Sequence, residues 1–90
     1  ADLRNANLGF ANLYYANFSD ANLSDAYLFT ADLRYANLSN ANLSGVDLSY
    51  ADLNNAYLYS AKIANVYWYN TTCPNGTNSD DNGNTCENNL

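Results

Sequence analysis

A large apolar residue stands at every fifth position of this chain, and two residues before each one stands alanine or valine. The spaced set is Leu3, Leu8, Leu13, Phe18, Leu23, Leu28, Leu33, Leu38, Leu43, Leu48, Leu53, Leu58, Ile63 and Trp68. Fourteen pentads run from Ala1 to Asn70 without an insertion or deletion, and a pattern this long marks a repeat architecture. A period of five defeats both ordinary elements. On an α-helix five residues advance about 500°, so successive leucines fall about 140° apart and wind around every side. On a flat strand five is odd, and alternation throws successive leucines onto opposite faces. The chain must therefore bend once per pentad.

Within a pentad the alanine and leucine are two apart, so a short extended piece points both inward. The residue between them, usually Asn or Asp, points out. The last two places carry mostly Ser, Asn, Asp, Gly or Tyr, and the first four of these types favour turns. A bend of about 90° per pentad closes a square after four pentads, each coil stacking on the last at about 4.8 Å. Leucines fill the narrow interior and alanines keep its walls close. The expected fold is all-β, a quadrilateral β-helix or solenoid of about 3.5 coils over residues 1–70. An irregular C-terminal cap over residues 71–90 completes the expected domain organisation.

The A-(D/N)-L-x-x repeat from Ala1 to Asn70 resembles the pentapeptide-repeat proteins. That resemblance implies a right-handed helix with Leu and Ala inside. Many members are cyanobacterial or lie in the plant thylakoid lumen, and they have no assigned biochemical role. The resemblance thus implies a non-catalytic structural or protein-interaction module. Two alternatives stand beside it, one of them from the same resemblance. Some members resemble duplex DNA in charge and shape and protect DNA gyrase from quinolones. The other alternative, drawn from the tail below, is a calcium-dependent extracytoplasmic binding module.

Charge bears on these readings. The repeats hold Asp2, Asp20, Asp25, Asp32, Asp47 and Asp52 against Arg4, Arg34 and Lys62, and so contribute −3 of the total −6. An acidic chain argues against direct nucleic-acid binding, which relies on Lys and Arg to neutralise phosphates. A rod this short and mildly acidic is also a poor DNA mimic. No apolar run approaches the roughly 20 residues that span a bilayer, so membrane insertion is not expected. Histidine is absent and Lys62 is the one lysine, so no nucleophile has an evident base and neither enzyme activity nor a cofactor is expected.

Eleven aromatics occupy outward positions. With residues twenty apart stacked, Tyr27 falls under Tyr67 and Phe29 under Tyr69, while Phe10 and Tyr50 share the adjoining corner. Those six are the candidate interaction face for an unidentified protein partner. Against this stands the reading that stacked rings merely brace neighbouring coils. Asn22 with Asn42, and Asn17 with Asn37, read as structural ladders. The open first coil is a candidate surface for self-association.

The tail TTCPNGTNSDDNGNTCENNL departs from the period. Cys73 and Cys86 fit no common zinc or redox spacing. A disulfide is the expected pairing, worth about 3 kcal/mol in the chain-entropy model, with two free thiols as the rival. Disulfides persist in oxidising compartments, which points to an extracytoplasmic site: periplasm, secreted or thylakoid lumen. The chain opens within the pattern at Ala1 with no signal peptide or initiator Met, as expected of a mature or trimmed product. Within the tail Asn78, Asp80 and Asn82 alternate ahead of Gly83 like the start of a calcium loop. Asn89 stands where the bidentate Glu belongs, so no metal site is assigned beyond that weak resemblance.

Overall fold

The structure is a computed structural model that describes all of residues 1–90. Its ladder is built of single parallel bridges between residues twenty apart, and these define four faces. The first runs Asp2, Asn22, Asn42, Lys62 and the second Asn7, Tyr27, Asp47, Tyr67. The third runs Asn12, Asp32, Asp52, Thr72 and the fourth Asn17, Asn37, Tyr57. The second residue of each pentad is thus the rung, and the fourth and fifth places always turn. No helix in the structure is long and apolar enough to cross a membrane.

The backbone bonds of one pentad show why the period holds. Asn22 N–H donates down to Ala1 O at 2.9 Å, while Leu23 N–H donates up to Asn42 O at 2.9 Å. Asp25 N–H donates up to Ser44 O at 2.9 Å, and Ala26 N–H closes the turn onto Leu23 O at 3.0 Å. Only Ser24 N–H lacks a backbone partner, and it donates to Asn22 Oδ1 at 3.1 Å. The same side-chain bond recurs in every one of the ten pentads that carry Asn or Asp at the second place, at 2.9–3.3 Å. A short acceptor two residues back is the local Asx geometry that satisfies an otherwise orphaned donor. Asn22, Asn42, Asn17 and Asn37 are therefore rung neighbours, as expected, but their side-chain oxygens serve their own turns rather than a ladder between coils.

All fourteen fifth positions have positive φ, from 49° at Asn70 to 72° at Gly45, whereas no fourth position does. This is the type II turn pattern, with the left-handed residue at the third place of the turn. Asn, Asp and Gly adopt it readily; Phe10, Tyr15, Tyr35, Tyr50 and above all β-branched Thr30 do so at a cost of about 1–2 kcal/mol. Composition alone had suggested only a generic turn.

The interior follows the expected pattern, though not to its ends. The leucines from Leu23 to Leu58 are buried together with their alanines, as is Trp68. Leu3, Leu8, Leu13, Phe18 and Ile63 are only half-buried, because each has a neighbouring coil on one side alone.

The ladder does not stop at Asn70. Thr72 bridges Asp52, Leu53 N–H donates to Thr72 O at 2.9 Å, and Asn55 N–H donates to Pro74 O at 2.9 Å. Thr71 and Cys73 are fully buried in the alanine and leucine places. Thr71–Asn75 therefore continue the ladder as a fifteenth side. Pro74 fits at the fourth place because Thr72 offers no Asx acceptor, and proline has no N–H to satisfy. Past this side the chain folds back: Asn78 makes an antiparallel bridge to Thr72, followed by a 3₁₀ turn at Ser79–Asp81. The buried Ser79 hydroxyl bonds Trp68 O and accepts Thr71 N–H.

Two outcomes follow. Asn42→Ala removes the acceptor for Ser44 N–H and should cost about 1 kcal/mol in a denaturant melt, whereas Asn42→Asp should be near neutral. Thr30→Asn should raise stability by about 1 kcal/mol, because asparagine tolerates the left-handed turn position; a lowered melting temperature would contradict that account.

Candidate functional site

The second face carries an aromatic column that sequence register misassigns. Phe10, Phe29, Tyr50 and Tyr69 contact one another in that order, edge to face, with ring centroids 5.6, 5.5 and 5.4 Å apart. Successive members are nineteen or twenty-one residues apart rather than twenty. The cause lies in the corner: the fifth-place N–H bonds the fourth-place carbonyl of the coil above, as Phe10 N–H does Phe29 O and Tyr50 N–H does Tyr69 O, both at 2.8 Å. Fifth and fourth places therefore interleave along one edge. Such edge-to-face pairs contribute about 0.5–1.5 kcal/mol each beyond their burial. Exposure remains high, from 38% at Phe29 to 74% at Phe10.

Tyr27 and Tyr67 do not stack on each other, contrary to the expected pairing. Asp47 is the rung between them, and neither ring joins the column. They line an open groove of about 520 Å³ with Asn5, Asp25, Gly45, Asp47 and Ser49. Gly45 shapes its floor: a Cβ there would meet Asp25 Oδ1 at 2.2 Å, and its φ of 72° suits glycine in any case.

A second aromatic group sits on the third face. Tyr15 and Tyr35 stack at 5.0 Å, and Tyr14 packs edge-on against both. Arg34 lies 5.1 Å from the Tyr14 ring centroid and makes a two-pronged bond to Asp32, Nε–Oδ1 2.9 Å and Nη2–Oδ2 2.8 Å. Arg4 grips Asp2 in the same way at 2.9 Å through each nitrogen. These side-chain bonds hold both carboxyls below the usual range, Asp2 down to about 2. Sequence reasoning listed these charges but missed the D-x-R spacing that pairs them.

In the tail Cys73 and Cys86 form the expected disulfide, buried at the end of the core. The candidate calcium residues Asn78, Asp80 and Asn82 take part in turn bonding. Asn78 Oδ1 accepts Asp80 N–H and Asp80 Oδ1 accepts Asn70 N–H, each at 2.8 Å. Asn82 turns its amide nitrogen to Thr77 Oγ1 and Asn78 O. No group of three or more acidic, cysteine or histidine side chains stands ready for an ion.

The comparisons with known proteins agree with this geometry. The profile described as pentapeptide repeats matches residues 1–29 and 26–63, in eight copies. A crystal structure of a pentapeptide repeat protein from the cyanobacterium Cyanothece 51142 is 36% identical, covers 72% of this chain and gives a TM-score of 0.61. HetL from the cyanobacterium Nostoc, a pentapeptide repeat protein involved in heterocyst differentiation regulation, is 28% identical over 84% of this chain, with a TM-score of 0.53. The chain spans only 48% and 46% of the lengths of those two proteins. No match was found among curated proteins. With its profile matched over most of the length and its ladder built on a five-residue period, this chain is a member of the pentapeptide repeat family, with the right-handed β-helix fold of that family.

Proposed function

We propose that the chain is a non-catalytic interaction module whose second face docks on a partner protein. The observation that carries this reading is the Phe10–Phe29–Tyr50–Tyr69 column, with Tyr27 and Tyr67 beside it on the same face. Most other pentads fill these places with Asn, Asp, Ser or Gly, the second aromatic group at Tyr14, Tyr15 and Tyr35 being among the exceptions. Phe10 and Tyr50 stand in left-handed turn positions where asparagine would be cheaper, so the rings are kept at a local backbone cost;. Bracing of coils accounts for the ring contacts, but it leaves Tyr27 and Tyr67 unexplained, because they brace nothing aromatic. An exposed aromatic surface of this kind suits a protein partner.

The DNA-mimic alternative is weaker on the charge geometry. Arg4 and Arg34 neutralise Asp2 and Asp32 locally, and together with Lys62 they leave the repeats at only −3. We further read residues 76–90 as a cap over a helix of about three and three-quarter coils, counting the fifteenth side. The disulfide that anchors this cap supports an extracytoplasmic location;.

Affinity capture from the native compartment tests the surface with Phe29→Ser/Tyr50→Asn, which installs residues common at those repeat places. Loss of specific partners with a retained cooperative melt is expected; an unchanged partner list refutes the surface. Thiol counting on denatured, unreduced protein should find no free thiol, and two per chain would remove the basis for an extracytoplasmic location.

A further inference from the structure

The chain contains its own template for holding a guanidinium. Two position-two aspartates, Asp2 and Asp32, are each followed two residues later by an arginine that chelates them, and Arg34 also lies against Tyr14. Asp52 stacks on Asp32 and shares the field of Arg34. Asp47 has no such cation. Its second residue onward is Ser49, which supplies one backbone N–H to Oδ1 at 2.9 Å and leaves Oδ2 without a partner.

Asp47 forms the rung between Tyr27 and Tyr67, and all three line the groove of about 520 Å³. Asp25 enters the same groove, laid across Gly45, and makes no ion pair. None of the three basic side chains lines it: two are committed to their own aspartates, and Lys62 is a rung of the first face. The groove thus repeats the carboxylate-and-tyrosine setting of Arg34 with the cation left out. A planar guanidinium suits it, since it can bond a carboxylate and lie on an aromatic face at once.

We propose that this groove receives an arginine side chain presented by the partner protein. The proposal rests on the reading of the second face as an interaction surface and names the chemistry that face selects. Asp47 bonds the guanidinium, Tyr27 and Tyr67 flank it, and Asp25 adds a second negative charge from below.

Two substitutions remove the charge with little disturbance to the fold. Asp47→Asn keeps the Oδ1 acceptor that Asn22 and Asn42 give to their serines, and Asp25→Asn places asparagine in a turn site like those of Asn5 and Asn40. The probe is the peptide acetyl-Gly-Arg-Gly-amide, titrated into ¹⁵N-labelled protein, with the neutral citrulline isostere as control. Saturable amide shifts at Tyr27, Asp47, Ser49 and Tyr67 are expected for arginine, with roughly tenfold weaker binding in Asp25→Asn/Asp47→Asn at an unchanged melting temperature. Equal shifts with citrulline, equal binding by the double variant, or no localised shift overturns the arginine groove. Partner capture separates this from failure of the wider surface. If Asp25→Asn/Asp47→Asn keeps partners that Phe29→Ser/Tyr50→Asn loses, the groove is refuted and the surface stands. If arginine shifts persist but capture is insensitive to Phe29→Ser/Tyr50→Asn, the groove stands and the aromatic surface is refuted.

Discussion

The fourth N–H of each pentad is the donor on which the rest of the structure turns. The other four find backbone carbonyls, in the coil below, in the coil above or across the turn, as the pentad Ala21–Asp25 illustrates. The fourth has none, and in ten of the fourteen pentads a side chain two residues back supplies the acceptor. An unpaired backbone donor costs free energy comparable to a lost hydrogen bond, so the second place is restricted to short acceptors wherever nothing else is required of it. The exceptions are informative for that reason. Tyr27, Tyr57, Lys62 and Tyr67 stand where Asn or Asp would satisfy the turn, and Tyr27 and Tyr67 border the groove.

The same constraint explains why the outer surface can vary without disturbing the core. Alanine and leucine places are sealed inside from Ala21 to Leu58, while the turn places face solvent and need only tolerate their backbone angles. Phe10 and Tyr50 bear a local conformational cost there and recover part of it by packing edge to face with Phe29 and Tyr69 along the corner;. Core packing and surface chemistry therefore draw largely on different positions of one short motif.

Legibility in the sequence follows these roles. The inward residues were readable because burial imposes a strict period, and every leucine from Leu23 to Leu58 lies where the spacing put it. The fifteenth side was not, because Thr71 and Cys73 occupy the alanine and leucine places without resembling them. Thr71 is admissible inside only because its hydroxyl donates to Leu48 O at 2.7 Å and its N–H reaches Ser79. Those partners come from other parts of the chain, so no local pattern announces them. The end coils are also less buried than the repeat implies, since a solenoid covers a leucine fully only with neighbours on both sides.

By itself the sequence determined the shape: a five-residue period with small and large apolar residues two apart forces a bend per pentad and a four-sided stack. The neighbours of each outward side chain were decided only by the tertiary structure. Rungs sit twenty residues apart, but corners interleave at nineteen and twenty-one, because fifth-place donors bond fourth-place carbonyls of the next coil. That offset joins Phe10, Phe29, Tyr50 and Tyr69 into one column and leaves Tyr27 and Tyr67 on either side of Asp47. Counting along the chain gives the period, but the hydrogen-bond register between coils sets which rings and charges meet.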